Sequence, residues 1–418
     1  MGIKIFRFTL TVMVALCIFS TYALAGEVEV LHWWTSGGEA KSVAVLKELL
    51  EKEGHTWKDF AVAGGGGDAA MTVLKSRAVA GNPPTAAQVK GPQIQLWGDE
   101  GVLANLDGVA RAERWDELLP KVVADVMKYE GSYVAVPVNV HRINWMWANP
   151  EVFRKAGAAI PTTWEQFEEA AKKIKNAGFI PVAWGGQPWQ EATVFEMIVA
   201  AVGAPDFYRR ALVDADPGAL NSPTMVKALT MLKMVKLYTD RGAPGRDWNL
   251  ATAMVIQGKA AMQFMGDWAK GEFTAAGKSP GADYIAMPAP GTSDQFLFNV
   301  DSFIMFKQKD AGAQEAQKAM ARLILQPEFQ EIFNVNKGSI PVRLGMPRAP
   351  FDDPALRSMN AFVASAASGG LVPSMAHEMA VFPAVRGAIL DVVTNFYNSD
   401  MSAQNAAAKL ASEVEAAK

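Results

Sequence analysis

Glu27-Val28-Glu29-Val30-Leu31-His32-Trp33-Trp34 alternates charged and apolar side chains and then turns mainly apolar. That is the pattern of a strand entering a core. Thr35-Ser36-Gly37-Gly38-Glu39 reads as the loop that leaves it. From Ser42 to Glu53 the apolar positions Val43, Leu46, Leu49 and Leu50 recur at helical spacing. Phe60-Ala61-Val62-Ala63 predicts a second strand, closed by the run Gly64-Gly65-Gly66-Gly67. A helix is expected from Asp68 to Ala80. Strand, helix, strand, helix is the grammar of an α/β layer with a parallel sheet.

The same grammar continues outward. Thr163 and Gln166 in Pro161-Thr162-Thr163-Trp164-Glu165-Gln166 form a capping box, and Trp164, Phe167, Ala171 and Ile174 then share one helix face. Ile180-Pro181-Val182-Ala183-Trp184 reads as the strand that follows. Leu250 to Ile256, Phe298 to Lys307 and Gln314 to Leu325 add alternating or periodic stretches. The alanine-rich segment from Ser402 to Ala417 predicts a terminal docking helix. No internal repeat is visible, and composition marks no linker from which domain boundaries could be drawn.

Half of the 418 residues are apolar and one fifth are charged, which excludes a disordered or low-complexity chain. Lys4 and Arg7, the apolar run from Phe8 to Ser20 and Ala23-Leu24-Ala25 together form a secretory signal, residues 1–25, cleaved after Ala25. Without it, 38 basic residues face 43 acidic ones, a net charge of −5 against −3 for the whole chain. No global basic field is available for nucleic acid or anionic lipid. Cys17, the single cysteine, lies inside the signal behind Leu16, where a lipoprotein would carry a small residue. The mature chain therefore has no disulfide, thiolate metal site or cysteine nucleophile. The expected product is an exported, periplasmic protein.

Few motifs carry chemistry. Gly65-Gly66-Gly67-Asp68-Ala69-Ala70 matches a dinucleotide cradle, G-x-G-x-x-A between strand and helix. It lacks the acidic residue about 20 positions on and follows the second strand rather than the first. The alternative is a tight turn where backbone approaches something closely. His32, His55, His141 and His377 show no metal-ligand spacing, and no nucleophile elbow or phosphate loop occurs. No metal or cofactor is expected.

Tryptophan is the informative residue. All 12 lie after the signal, several at expected element edges: Trp33, Trp34, Trp97, Trp184, Trp189, Trp248 and Trp268. Any one of them alone is more simply a packing residue. Collectively they offer flat apolar faces, which suit the C–H patches of a pyranose ring, while acids, amides, Lys and His suit its hydroxyl belt. In a strand, Trp33 and Trp34 point oppositely, so one can pack inward while the other meets ligand.

Three segments carry a resemblance. Leu31-His32-Trp33-Trp34-Thr35-Ser36-Gly37-Gly38-Glu39, Pro161-Thr162-Thr163-Trp164-Glu165 with Gly178 and Pro181, and Gly258-Lys259-Ala260-Ala261-Met262 with Gly266-Asp267-Trp268 resemble extracellular sugar-binding proteins of ABC importers. Within that family, the Trp33-Trp34 pair, Val89-Lys90-Gly91, Asn299-Val300-Asp301 and Ala376-His377-Glu378 are most similar to glucose- and mannose-binding proteins of Gram-negative bacteria and Thermus.

The resemblance implies a two-lobed α/β periplasmic-binding-protein fold, with a ligand cleft between lobes joined by crossing strands. The N-terminal lobe would hold residues 27–139 and 292–340, the C-terminal lobe residues 140–291 and 341–418. Trp34 and Trp268 would supply ring faces, with Trp33 and Trp248 nearby. Glu39, Lys90, Asp301, Lys337, His377 and Asn299 would bond hydroxyls. A monosaccharide (glucose, mannose or galactose), the permease subunits at the membrane and a monomeric state are expected, and catalysis is not. Two other readings stay open. An exported glycosidase would use Glu39 and Asp301 as its acid pair. An amino-acid or peptide carrier would need an arginine for the carboxylate, and the candidate set holds none.

Overall fold

The computed structural model describes residues 25–418, so the expected signal lies outside the described residues save Ala25. The opening strand forms at Glu27–His32 and pairs in parallel with Thr56–Ala61 and with Ala86–Val89. Helices Gly37–Lys52 and Asp68–Val79 make the connections. The first helix begins five residues earlier than its apolar spacing suggests, because Glu39 caps it: Glu39 Oε2 accepts from the Thr35 and Ser36 amides at 3.2 and 3.3 Å. The loop expected there is thus largely helix. In the later capping box, Thr163 accepts from the Gln166 amide and Gln166 Oε1 accepts from the Thr162 amide. Ser402 caps the terminal helix Ala403–Ala417.

Neither of the two larger sheets is purely parallel. The larger one runs in the order Ile340–Pro341, Ala135–Arg142, Phe296–Met305, Ala86–Val89, Glu27–His32, Thr56–Ala61, with Leu371–Pro373 also on Phe296–Met305. Phe296–Met305 is antiparallel to both of its long neighbours. It enters this sheet from the second one rather than through a local helical crossover, so the parallel rule does not bind it. The smaller sheet is ordered Ile285–Pro288, Trp145–Ala148, Ala260–Phe264, Ile180–Val182.

Two separate cores follow from the two sheets. One gathers Val28 to Val140 with Phe296 to Val342, plus Phe362 and Met379. The other gathers Ile143 to Ala289 with Val372 to Val414, plus Leu297. The chain is therefore two-lobed. It passes between lobes at 142–145, at 288–296 and through helix Asp353–Ser368. No described helix is long and apolar enough to cross a membrane.

Candidate functional site

The lobes meet around a narrow cavity of about 20 Å³. Its lining includes Trp33, Trp34, Glu39, Lys90, Asn299, Asp301 and Lys337 from the first lobe, and Trp268 and His377 from the second. Side chains more than 300 positions apart thus share one space. Trp248 does not line it. Its ring stands behind Trp268, with centroids 6.5 Å apart and nearly perpendicular. His141, on a crossing strand, and Gly65 also line the cavity and were not among the expected residues.

Each polar wall group is held by its fold. Glu39 spends one oxygen on the helix cap and the other on Lys337, whose Nζ lies 2.9 Å away. Asp301 sits where the pairing register of Phe296–Met305 slips against Ala135–Arg142. Such a bulge re-aims a side chain. Gln88 Nε2 donates to one Asp301 oxygen at 3.2 Å, and His141 Nε2 faces the other at 2.9 Å. Burial alone would push this carboxyl up, but His141, Lys337 and Lys90 hold it far below the usual carboxylate range.

His377 is the opposite case. Burial, then the charges of Lys90 and Arg386, hold its imidazole well below its ordinary value, so the ring is neutral. The Thr193 hydroxyl donates to Trp189 O at 2.7 Å and so accepts from His377 Nε2 at 2.9 Å. That fixes the tautomer and leaves Nδ1 as an acceptor. The His377 loop hangs on Glu196, whose carboxylate accepts from the Ser374 and Tyr208 hydroxyls and the Met375 and Ala376 amides.

The aromatic groups surround this polar set. Lys90 Nζ stands 4.9 Å from the Trp33 ring centre, and Lys337 Nζ 5.9 Å from that of Trp268. Trp34 packs against Phe303 and Phe333 on the inner side. Among the lining groups, the Trp34 indole N–H and the Asn299 amide oxygen are buried with no partner. Buried polar atoms seldom stay unpaired, so an orphan donor and an orphan acceptor in one wall mark a place for a polar ligand.

The glycine run is explained by what covers it. A methyl on Gly65 would lie 2.7 Å from Trp248 Cδ1, and one on Gly66 would lie 2.8 Å from Trp189 Cδ1. One on Gly67, which caps the next helix at φ 92°, would lie 3.2 Å from Trp33. The close approach is therefore by indoles, Trp248 and Trp189 of the other lobe and Trp33 of the same one, which fill the space a pyrophosphate would need. A charged seam, Lys90–Glu378–Arg386–Asp68, spans the lobes, with Lys90 Nζ 3.5 Å from Glu378 Oε2 and Arg386 Nη1 2.8 Å from Asp68 Oδ1.

Comparison with known proteins agrees with this architecture. The family model described as "Bacterial extracellular solute-binding protein" matches residues 34–330. A Rhizobium meliloti protein named "Probable sugar-binding periplasmic protein" is 48% identical over 98% of this chain and 99% of its own. A Pyrococcus horikoshii protein, named as an uncharacterized ABC transporter extracellular-binding protein, is 34% identical over 89% of this chain and 84% of its own. The fold is shared with a solved chitin oligosaccharide binding protein, at TM-score 0.80 and 18% identity over 94% of this chain and 99% of that one. On the sequence match and the two-lobed architecture together, this chain belongs to the bacterial extracellular solute-binding protein family.

Proposed function

We propose that this protein is the periplasmic sugar-binding component of an ABC importer and that the interlobe cavity holds one monosaccharide, glucose foremost, with mannose and galactose as near alternatives. The observation that carries this reading is the cavity wall itself: indoles alternating with buried acceptors and donors, two of them unpartnered, drawn from both cores. Its volume, about 20 Å³, is far below the roughly 300–1,000 Å³ of ligand pockets, so on this reading the lobes part to admit the sugar. The relatives that are named for sugar binding and periplasmic location support the ligand class and the compartment.

On this reading the lobes are residues 27–139 with 292–340 and residues 140–291 with 341–418. The two cores support the first two bounds to within a few residues, whereas the first core keeps Val342, Phe362 and Met379, beyond the third bound. Trp268, with Trp33 or Trp34 opposite, covers the ring faces. Glu39, Asp301 and the His377 Nδ1 accept from hydroxyls, and Lys90 and Lys337 donate. Sugar touching both lobes shifts an open–closed equilibrium, and reversing 1:99 to 99:1 takes roughly 5.5 kcal/mol of preference. Several charge-assisted hydrogen bonds at ~1.5–3 kcal/mol each reach that scale. The closed form then docks, as a monomer, on the permease subunits.

Hydrolysis fits the site less well. A glycosidase needs a protonated acid beside a carboxylate. Asp301 is held far below the usual range, and Glu39 faces Lys337 and two backbone amides. The lining has no arginine to grip an amino-acid carboxylate.

Calorimetric titration of the mature protein with a panel of monosaccharides and disaccharides tests the reading. Glucose should bind one to one and reduce the radius of gyration in small-angle scattering. No heat with any sugar, or release of product from an aryl glycoside, would overturn it.

A further inference from the structure

The strand Ala135–Arg142 is apolar except on one stretch, where Asn139 and His141 fall two apart on the same face. His141 is buried there between two carboxylates. Its Nδ1 is hydrogen-bonded to Asp267 Oδ1, and its Nε2 lies 2.9 Å from Asp301 Oδ2. Asp267 adjoins the second lobe's strand Ala260–Phe264, and Asp301 lies on the first lobe's long strand. An imidazole nitrogen that faces a carboxylate at this distance must donate, and both nitrogens can donate only in the cation.

The surroundings bear on the alternative. Asn139 Nδ2 stands 3.0 Å from the same Nε2, which would suit a neutral ring accepting from the amide. That arrangement would set a lone pair against the Asp301 carboxylate, the closer and fully charged neighbour. The amide has another acceptor, Ser339 Oγ, at 3.0 Å. Asn139 Oδ1 meanwhile accepts from the Asp301 amide, which fixes the orientation of its side chain. The other charged groups facing this cluster are Lys337 and Lys90, both acting on Asp301, and Arg142, acting on Asp267; the neutral His377 lies beyond Trp268. Asp267 is further held by the Arg142 amide at 2.8 Å.

We infer that His141 is a positioning residue: a buried imidazolium, bridging the lobes between Asp267 and Asp301, that keeps Asp301 ionised and aimed into the cavity as a hydroxyl acceptor. This rests on the sugar reading for what Asp301 accepts from, and on the geometry alone for the bridge. Burial would pull the ring's proton affinity down, but Asp267 and Asp301 raise it above the ordinary histidine value. With both ring nitrogens facing carboxylates, the cation is the form this geometry holds, and it is lost as pH rises. His377, the other cavity imidazole, is neutral throughout and contributes no titration in that range.

The test uses the full mature chain with 15N-labelled histidine, the His141 signals being assigned by their loss in His141→Gln. The expected result is two protonated ring nitrogens at pH 7. Glucose affinity should fall as pH rises past the loss of that proton. His141→Gln should bind about tenfold or more weakly at pH 7, with no such pH dependence. A neutral ring protonated only at Nδ1 at pH 7 would overturn the inference, whether or not the variant folds. Unchanged affinity and pH profile in His141→Gln would do the same. A charged ring in a protein that binds no sugar would instead sink the sugar reading and leave the bridge standing.

Discussion

The indole of Trp189, from the second lobe, occupies the space into which any side chain on Gly66 would grow, with a methyl there 2.8 Å from Cδ1 and 2.9 Å from Cγ. Neither residue lines the cavity. Gly66→Ala should therefore hinder closure without touching the ligand, at a cost of ~1–3 kcal/mol typical of overpacking. Calorimetry with glucose, mannose and galactose should show the same fold-loss for all three. Unequal losses would place Gly66 in direct contact with sugar.

Asp301→Ala should cost more affinity than Lys90→Ala. Asp301 is gripped by Gln88 and His141, and its removal leaves a buried imidazolium one carboxylate short. Breaking a buried pair in this way costs about 3–5 kcal/mol in stability as well. Lys90 Nζ has only long contacts, 3.5 Å to Gly66 O and to Glu378 Oε2, so less is disrupted when it goes. Titration and thermal melts of both variants check the order; equal losses would count against the role given to Asp301.

Trp268→Ala should weaken glucose binding by ~1–3 kcal/mol through lost ring area. Its ring also meets His141, His377 and Lys337, so part of the loss would come from slackened neighbours. Trp248→Ala should cost less, because its ring backs Trp268 and covers Gly65 without lining the cavity. A larger effect at Trp248 than at Trp268 would reverse the assignment of front and rear indoles.

Glu196 gives a pH prediction for folding. Burial pushes its carboxyl from 4.5 up to about 7, against the pull of the Ser374, Tyr208, Met375 and Ala376 donors. Between those values the folded chain keeps a proton that the unfolded chain has released. This group's contribution to stability therefore falls as pH rises across that window. Denaturant unfolding of wild type and Glu196→Gln from pH 4.5 to 7.5 should show a difference that changes with pH. A constant difference would mean that the carboxyl does not titrate there.

Local signals in the sequence reached a good part of this structure. The alternation of Val28, Val30 and Leu31 and the spacing of Leu46, Leu49 and Leu50 report their own strand and helix, since burial is written at period 2 and 3.6. The start of the first helix is signalled locally by the capping-box spacing of Ser36 and Glu39, masked by the two glycines between them. The direction of Phe296–Met305 was hidden because it depends on where the chain has been, not on its own residues. Resemblance, rather than periodicity, gathered Lys90, Asp301 and His377. His141 had a faint signal of its own, a polar residue two after Asn139 in an apolar strand. The Glu378–Arg386–Asp68 contacts had none.

The order in which the first sheet is assembled has a consequence for biogenesis. Phe296–Met305 lies between Ala86–Val89 and Ala135–Arg142, so the three strands synthesised first pair with one another but cannot be joined to Ala135–Arg142 until some 150 further residues have arrived. Pairings so distant along the chain are slow to form. A polypeptide emerging from its amino end would wait half-made, its early strands exposing unsatisfied edges, and a chain cut short before residue 296 should be a substrate for proteases rather than a smaller working protein.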